Sequence, residues 1–270
     1  MEIPRRILVI NGKGGCGKTT VATNLAATYA KTTSADRSDA DPQDPAQRTR
    51  PYKVALIDHD PQASSTHWCE TRSDDLPKVH IQAAHQRAGM YQTQVFAYRI
   101  PQETNRIIID GHSNARDRDL DTLLKQADII LVPILASPID IHAGGRFIAD
   151  LLTHRSFRAA PRPVGVIANR VQQNTSTHDK LMHFLDCLDV PNVATFRDTP
   201  AYHDAVAQGK GIVDMPECRA ARKEHGAWRR LVDWIEAQPH SDRASVQALR
   251  TRPLSAGRSR TSSDIDSLQA

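Results

Sequence analysis

The feature that most constrains this chain is a glycine-rich loop between an apolar segment and a helical one. Residues 12–20 read Gly-Lys-Gly-Gly-Cys-Gly-Lys-Thr-Thr and fit the pattern G-x-x-x-x-G-K-[ST]. The apolar segment Arg5–Asn11 precedes the loop, and Thr19–Lys31 follows it with apolar residues at helical spacing. Because the N–H groups of such a loop surround phosphate oxygens, the sequence predicts a phosphate site where Lys18 reaches the β- and γ-phosphates and Thr19 binds Mg²⁺. The predicted nucleotide contacts in the loop are Gly12, Lys13, Gly14, Gly15, Cys16, Gly17, Lys18, Thr19 and Thr20.

Apolar segments alternate with helical ones along the chain. Strands are expected at Arg5–Asn11, Lys53–His59, Arg106–Asp110, Asp128–Pro133, Pro163–Asn169 and Val190–Phe196. Helices are expected at Thr19–Lys31, Arg116–Gln126, Ile139–His154, Thr177–Leu188, Ala201–Gln208 and Glu217–Ala237. Because short apolar strands separated by helices form parallel sheets covered on both faces, the sequence predicts a single doubly wound α/β domain, mainly parallel, over residues 1–238. The polar stretch 32–51 is expected to be an insertion loop, and residues 239–270 a disordered tail.

Further motifs lie where predicted strands end. Val54–Gln62 reads VALIDHDPQ and Arg106–Asp110 reads RIIID. The loop also carries a lysine in addition to Lys18, namely Lys13. Together with Lys13, these segments resemble the ParA/MinD family of deviant Walker A ATPases, whose signature is K-G-G-x-G-K-[ST]. The resemblance covers residues 5–236. It implies a P-loop NTPase fold and hydrolysis of ATP with Mg²⁺.

The resemblance assigns roles to individual residues. It implies that Lys13 contacts the nucleotide of a partner subunit, so that ATP is enclosed in a homodimer, and that Asp60 acts in hydrolysis beside Lys18. Mg²⁺ would be held by Thr19, Asp58 and Asp110. The base would be contacted by Asn169, Arg170 and Asp198. One departure concerns the segment after Asp110, where Gly111–Asp117 lacks the usual pattern of the family's second switch and leaves sensing of the γ-phosphate open.

Within the family, the sequence favours the short partition class, whose members partition plasmid or chromosome DNA. The C-terminal SSDIDSLQA has no apolar face for a membrane, the four cysteines are not placed for a cluster, and no length remains for a glutaminase domain. Such proteins bind DNA without sequence preference as ATP dimers and act with a ParB-like adaptor, which implies a cytoplasmic, nucleoid-associated protein. The DNA candidates form a basic stripe on the last predicted helix: Arg219, Arg222, Lys223, Arg229 and Arg230. Two alternatives stay open, a positioning ATPase for a protein cargo and a ligase similar to dethiobiotin synthetase.

Other features of the sequence are expected to carry no chemistry. No run of about 18 apolar residues is present, so no membrane segment is predicted. The histidine groups His80/His85 and His178/His183 are spaced i,i+5, which does not place both on one helical face, and no metal site is predicted from them. A second D-x-D-P-Q at residues 39–43 lacks a preceding strand and is expected to be inactive. Trp68 is expected to pack in the core.

Overall fold

A computed structural model describes residues 3–32, 52–85, 100–113, 115, 117–172, 175–187 and 190–239. Within these ranges the strands are β1 (Arg5–Val9), β2 (Val54–Asp58), β3 (Val79–Ala83), β4 (Arg106–Asp110), β5 (Ile129–Leu135), β6 (Val164–Val171) and β7 (Asn192–Arg197). The helices are α1 (Lys18–Lys31), α2 (Ser64–Thr71), α3 (Asp117–Gln126), α4 (Pro138–Thr153), α5 (Arg155–Ala159), α6 (Ser176–Asp186), α7 (Ala201–Ala207), α8 (Arg219–Arg222) and α9 (His225–Glu236). A short 3-10 helix spans Ile212–Asp214. All of these elements lie in the unit Met1–Pro239.

The strands form one parallel sheet in the order β3-β2-β4-β1-β5-β6-β7. The strands from β2 to β4 lie on one side of β1, and the strands from β5 to β7 lie on the other, so the strand order has a switch point beside β1. Ligands of open α/β sheets bind at such a switch point, beyond the carboxyl ends of the strands. The register pairs Asp58 at the end of β2 with Asp110 at the end of β4. The sheet therefore brings both aspartates predicted for the metal to the edge where the phosphate loop follows β1.

Helices cover both faces of the sheet, as the sequence predicted. Alternate residues of β1 show the two faces, because Ile7 and Val9 pack with α1 and α9 while Leu8 packs with α3, α4 and α6. On the first face, Trp228 stacks on Phe196 with ring centroids 4.1 Å apart. The single doubly wound α/β fold is thus confirmed.

The buried pair of Arg106 and Glu236 joins β4 to the last helix. Arg106 is fully buried, and its Nη2 donates to Glu236 Oε2 at 2.7 Å. The hydroxyl of Tyr29 donates to Glu236 Oε1 at 2.6 Å, and the Arg106 guanidinium lies 4.3 Å from the ring centre of Tyr52. Because every charge has a partner, this cluster ties α1, β4 and α9 together without an isolated buried ion.

Three details of the secondary structure differ from the sequence prediction. All six predicted strands are present, with ends shifted by up to two residues, but β3 and α2 were not predicted. The predicted helix Ile139–His154 ends at Thr153 and is followed directly by α5. The predicted helix Glu217–Ala237 is divided into α8 and α9, because Glu224 between them turns inward to bind Arg197 and Tyr202. The single predicted helix was wrong at this point.

Some predictions fall on parts of the chain that the structure does not describe. Residues 33–51 of the insertion, with the second D-x-D-P-Q, and residues 240–270 of the tail lie outside the described ranges. The domain boundary at 238 therefore stays a prediction. Among the described helices, none is both long enough and apolar enough to cross a membrane.

Candidate active site

The phosphate loop has the shape that its glycines predict. Gly15 and Gly17 have positive φ of 76° and 90°. A Cβ on Gly17 would clash with the side-chain amide of Asn169, and the positive φ would strain any residue that carries a side chain. Gly17 is followed at once by α1, whose first N–H groups face the loop and give this end of the helix a partial positive charge. The loop therefore forms a cradle suited to an anion.

Lys18 lies folded over this cradle. Its side chain is buried, and Nζ donates to the backbone carbonyl of Lys13 at 3.0 Å. A phosphate in the loop would offer this ammonium a stronger, charged acceptor. Cys16 is buried below, and burial raises the pKa of its thiol, which keeps it protonated and unreactive.

Lys13 is engaged by α4 instead of extending into solvent. Its Nζ forms an ion pair with Oδ1 of Asp140, and the side chain keeps 37% exposure. Asp140 lies in the first turn of α4, where its N–H donates to the hydroxyl of the N-cap residue Ser137 at 3.2 Å. Asp140 was not among the predicted site residues, although Ser137-Pro-x-Asp140 is a helix-start pattern that marks it.

The two carboxylates predicted for Mg²⁺ lie side by side, fully buried, on β2 and β4. Asp110 Oδ2 accepts from the Thr19 hydroxyl at 2.8 Å and from the Ser65 hydroxyl at 2.7 Å. Its Oδ1 is buried and has no hydrogen-bond partner within the described ranges. Burial raises the pKa of Asp110 from 3.8 to about 7, against the opposing effect of the two hydroxyl donors.

Asp58 accepts its hydrogen bonds from residues that follow it closely in the chain. Oδ1 accepts from the N–H of Asp60 at 3.0 Å, and Oδ2 accepts from the N–H and the hydroxyl of Thr66 at 2.8 Å each. Asp60 itself accepts from the N–H of Gln62 at 2.9 Å. Asp58 thus holds the loop that carries Asp60, and Ser65 and Thr66 are site residues that the sequence analysis missed.

The segment after Asp110 passes over the phosphate loop. Gly111 donates its N–H to the carbonyl of Val9 at 3.0 Å, which keeps the chain close to β1. A Cβ built on Gly14 would lie 4.0 Å from both Cβ and Oγ of Ser113. The segment after Asp110 therefore places the hydroxyl of Ser113 beside the cradle.

The residues predicted to contact the base come together at the other side of the loop. Asn169 Nδ2 donates to the carbonyl of Cys16 at 2.9 Å, and Arg170 Nε donates to Asp198 Oδ1 at 3.3 Å. Hydrogen bonds from Gln172 and Arg170 lower the pKa of Asp198. These side chains border a cavity of about 310 Å³ that opens onto Gly15, Gly17 and Thr20, and Tyr202 and His203 line its far wall. The cavity adjoins the cradle, as a base site must.

The five residues of the predicted basic stripe are all exposed. Arg219 and Arg222 lie on α8, Lys223 is its C-cap, and Arg229 and Arg230 lie on α9. The helix break after Lys223 means that the stripe is carried by two helices rather than one. No group of three or more His, Cys, Asp or Glu side chains that could hold a metal ion occurs in the part of the chain that the structure describes.

The geometry suits a nucleoside triphosphate with Mg²⁺. The cradle offers N–H groups, Lys18 and the start of α1 to the phosphates. Thr19 and the unpartnered Oδ1 of Asp110 offer oxygen to a hard divalent cation or its water, which Mg²⁺ prefers. The unpartnered Oδ1 of Asp110 is the observation that fits the metal, because a buried carboxylate oxygen that accepts no hydrogen bond is costly unless a ligand occupies it.

Comparisons with known proteins agree with this geometry. The profile of the CobQ/CobB/MinD/ParA nucleotide-binding domain matches residues 7–50 and 46–212. The chain is similar to a protein named maintenance of carboxysome distribution protein A from Halothiobacillus neapolitanus, with 24% identity over 77% of this chain and 87% of the relative. The protein of the same name from Gloeobacter kilaueensis is 28% identical over 51% of this chain and 52% of its own length.

Solved structures show the same fold at low identity. The Aquifex aeolicus cell-division complex of MinC and MinD superposes with a TM-score of 0.62 at 16% identity, covering 88% of this chain and 97% of that one. A Borrelia burgdorferi protein described as a putative plasmid partition protein, bound to AMPPNP, has a TM-score of 0.58 at 17% identity and covers 85% of this chain and 97% of its own.

Proposed function

The chain belongs to the CobQ/CobB/MinD/ParA family of nucleotide-binding proteins, and we propose that it is a positioning ATPase that distributes a protein assembly through an ATP-dependent dimer. The match to the family confirms the resemblance to ParA and MinD, and with it ATPase activity on ATP with Mg²⁺. The observation that carries the finer proposal is the similarity, over 77% of this chain, to a relative whose name refers to carboxysome distribution.

The surface around Lys13 supports the dimer. Lys13 borders a groove of about 760 Å³ between α3 and α4, and the neighbouring Ile139 is 75% exposed. Ile139 lines this groove together with Leu120 and Phe147, and a contiguous apolar surface beside a phosphate loop is suited to burial against another subunit. We infer that Lys13 leaves Asp140 when ATP arrives and reaches the phosphates of the partner's nucleotide, much as an arginine finger does.

The contacts within one subunit support a proposed role for each residue. Lys18 would neutralise the terminal phosphates, and Thr19 and Asp110 would hold Mg²⁺ with Asp58 beside them. Asp60, on the loop after β2, would orient the attacking water. Asn169, Arg170 and Asp198 would receive the base. None of these assignments needs a group from outside the dimer.

DNA partition with a ParB-like adaptor is the second candidate. It is compatible with the five exposed cations on α8 and α9, which suit nonspecific binding to phosphates. A positioning ATPase for a protein cargo would use the same surface if it travels on the nucleoid. The two candidates therefore share DNA binding and differ in the cargo adaptor.

Nonspecific DNA binding is tested first, by fluorescence anisotropy on random duplexes with ATP and Mg²⁺ at several salt concentrations. The double change Arg229→Ala and Arg230→Ala should weaken binding and reduce the slope of log K against log salt by about one unit for each phosphate that is no longer neutralised. Arg155→Ala with Arg158→Ala, on the exposed face of α5, is the matched control. Absence of ATP-dependent binding at low salt would contradict the nucleoid part of the proposal.

The cargo is tested with the variant Asp60→Ala, which should persist as the ATP dimer. The tagged variant is recovered from nuclease-treated host lysate, and the adaptor that it captures is then purified. An adaptor that self-assembles or binds a protein shell supports a protein cargo. An adaptor that binds one defined DNA sequence supports partition instead and would overturn the first candidate.

A further inference from the structure

The two buried carboxylates of the proposed ATP site lie on neighbouring strands. Asp58 and Asp110 are paired in the β2–β4 register, and both are fully buried. Neighbouring carboxylates repel each other, and each needs hydrogen-bond donors if it is buried away from water. The source of those donors therefore determines which oxygens stay available for a ligand.

Two consecutive residues of α2 supply three of these donors. Ser65 donates to Asp110 at 2.7 Å, and Thr66 donates its hydroxyl and its N–H to Asp58 at 2.8 Å each. Successive residues of a helix point about 100° apart, so one helix start can reach the ends of two strands. Ser65 is fully buried and Thr66 is nearly so, which distinguishes them from the exposed Ser64 just before.

We propose that Ser65 and Thr66 are positioning residues of the proposed ATP site, and that each controls a different step. Ser65, with Thr19, occupies Oδ2 of Asp110, so that Oδ1 is left for a water of the Mg²⁺ shell. Thr66 fixes Asp58, whose other oxygen holds the N–H of Asp60. This inference rests on the proposed function. The hydroxyl of Ser65 would support Mg²⁺ binding through Asp110, and the hydroxyl of Thr66 would align Asp60 through Asp58.

The far end of α2 keeps both hydroxyls in place. Trp68 donates its Nε1 to the carbonyl of Lys210 at 3.0 Å. Arg72 donates Nη1 to Asp214 at 2.8 Å in a buried ion pair and to the carbonyl of Gly209 at 3.0 Å. Since these anchors do not involve the site, removing one hydroxyl should leave the helix where it is.

The first experiment titrates Mg²⁺ into protein with a non-hydrolysable ATP analogue and follows binding by calorimetry, with Mn²⁺ and electron paramagnetic resonance as a second readout. Ser65→Ala should raise the half-saturating metal concentration about tenfold, the scale of one lost hydrogen bond to a charged group. Binding of the analogue without metal should be unchanged. Ser64→Ala, the same change at the exposed neighbour, should match the parent.

The second experiment measures ATP turnover at saturating Mg²⁺. Thr66→Val keeps the shape of the side chain and the backbone N–H but removes the hydroxyl, and kcat should fall about tenfold with an unchanged metal requirement. Thr66→Ser should restore kcat. If Ser65→Ala leaves metal binding unchanged, the positioning roles are wrong. They are also wrong if Thr66→Val and Ser65→Ala both lose metal affinity, metal-free analogue affinity and thermal stability together.

The proposed function fails in a different way. A parent protein that binds neither ATP nor its analogue, with or without Mg²⁺, would contradict the ATP site before any variant is compared. A parent that binds Mg²⁺ and ATP while both variants behave like it would refute only the roles of Ser65 and Thr66.

Discussion

Asp110 should make the stability of the nucleotide-free protein depend on pH in an unusual direction. Its pKa rises from 3.8 to about 7 on folding because burial disfavours the charged carboxylate. Between these two values the folded protein holds a proton that the unfolded chain has released, so the free energy of unfolding falls as pH rises from about 4 to about 7. A difference of about 3 pKa units corresponds to about 4 kcal/mol, which is lost in this window and stays lost above it.

Asp110→Asn removes the charge but keeps an oxygen for the hydroxyls of Thr19 and Ser65. The amide nitrogen would replace the unpartnered Oδ1 and carries a desolvation cost of about 1–3 kcal/mol at every pH. The informative quantity is therefore the change in the difference between parent and variant from pH 5.5 to pH 8. We expect the variant to gain about 2 kcal/mol over the parent in this interval, which is the part of the window that the interval spans.

Urea unfolding with EDTA and without nucleotide, followed by circular dichroism at both pH values, measures this quantity. Asp150→Asn on α4 removes an exposed carboxylate and controls for net charge. If the difference between parent and Asp110→Asn is the same at pH 5.5 and pH 8, the buried carboxylate is not the cause. If it changes with the opposite sign, the reasoning from burial is refuted.

The remaining predictions concern nucleotide binding and assembly. Lys18→Ala should lower ATP affinity about a hundredfold, since it removes the ammonium that faces the phosphates, and wild-type affinity by calorimetry would overturn the site. Lys13→Ala should bind one ATP per subunit without forming a dimer in gel filtration with light scattering, and normal dimerisation would contradict its role across the interface. Asp140→Asn should release Lys13 and favour the ATP dimer by at most about fivefold, because a partly exposed ion pair contributes up to about 1 kcal/mol. Asp60→Ala should accumulate as the ATP dimer, and turnover at the parent rate would refute its role in hydrolysis.

The phosphate loop could be predicted from sequence because its chemistry is local. Gly15 and Gly17 adopt the positive φ that their residue type permits, and Lys18 and Thr19 are fixed by the helix that starts beside them. The central strands were equally accessible, because β2 and β4 are buried at every position and read as unbroken apolar runs. Trp68 was correctly predicted to be a core residue, with 1% exposure.

The elements that were missed depend on distant residues. In β3 only Val79 is buried, and the other residues are half-buried, so it has no apolar run. In α2 only Ser65, Thr66 and Trp68 are buried, which leaves no apolar period to detect. The break between α8 and α9 arises because Glu224 binds Arg197, 27 residues earlier, and a buried glutamate cannot be distinguished from an exposed one by spacing.

The same distinction explains why the carboxylates were found and their donors were not. Asp58 and Asp110 stand at the ends of two apolar strands, and a parallel sheet aligns such ends, so their meeting follows from the strands themselves. Ser65 and Thr66 reach them only because α2 is held by Trp68 and Arg72 against a loop about 140 residues later in the chain. Motif spacing can therefore indicate which carboxylates meet at the proposed metal site, whereas the oxygen left without a donor is decided by packing that no local pattern records.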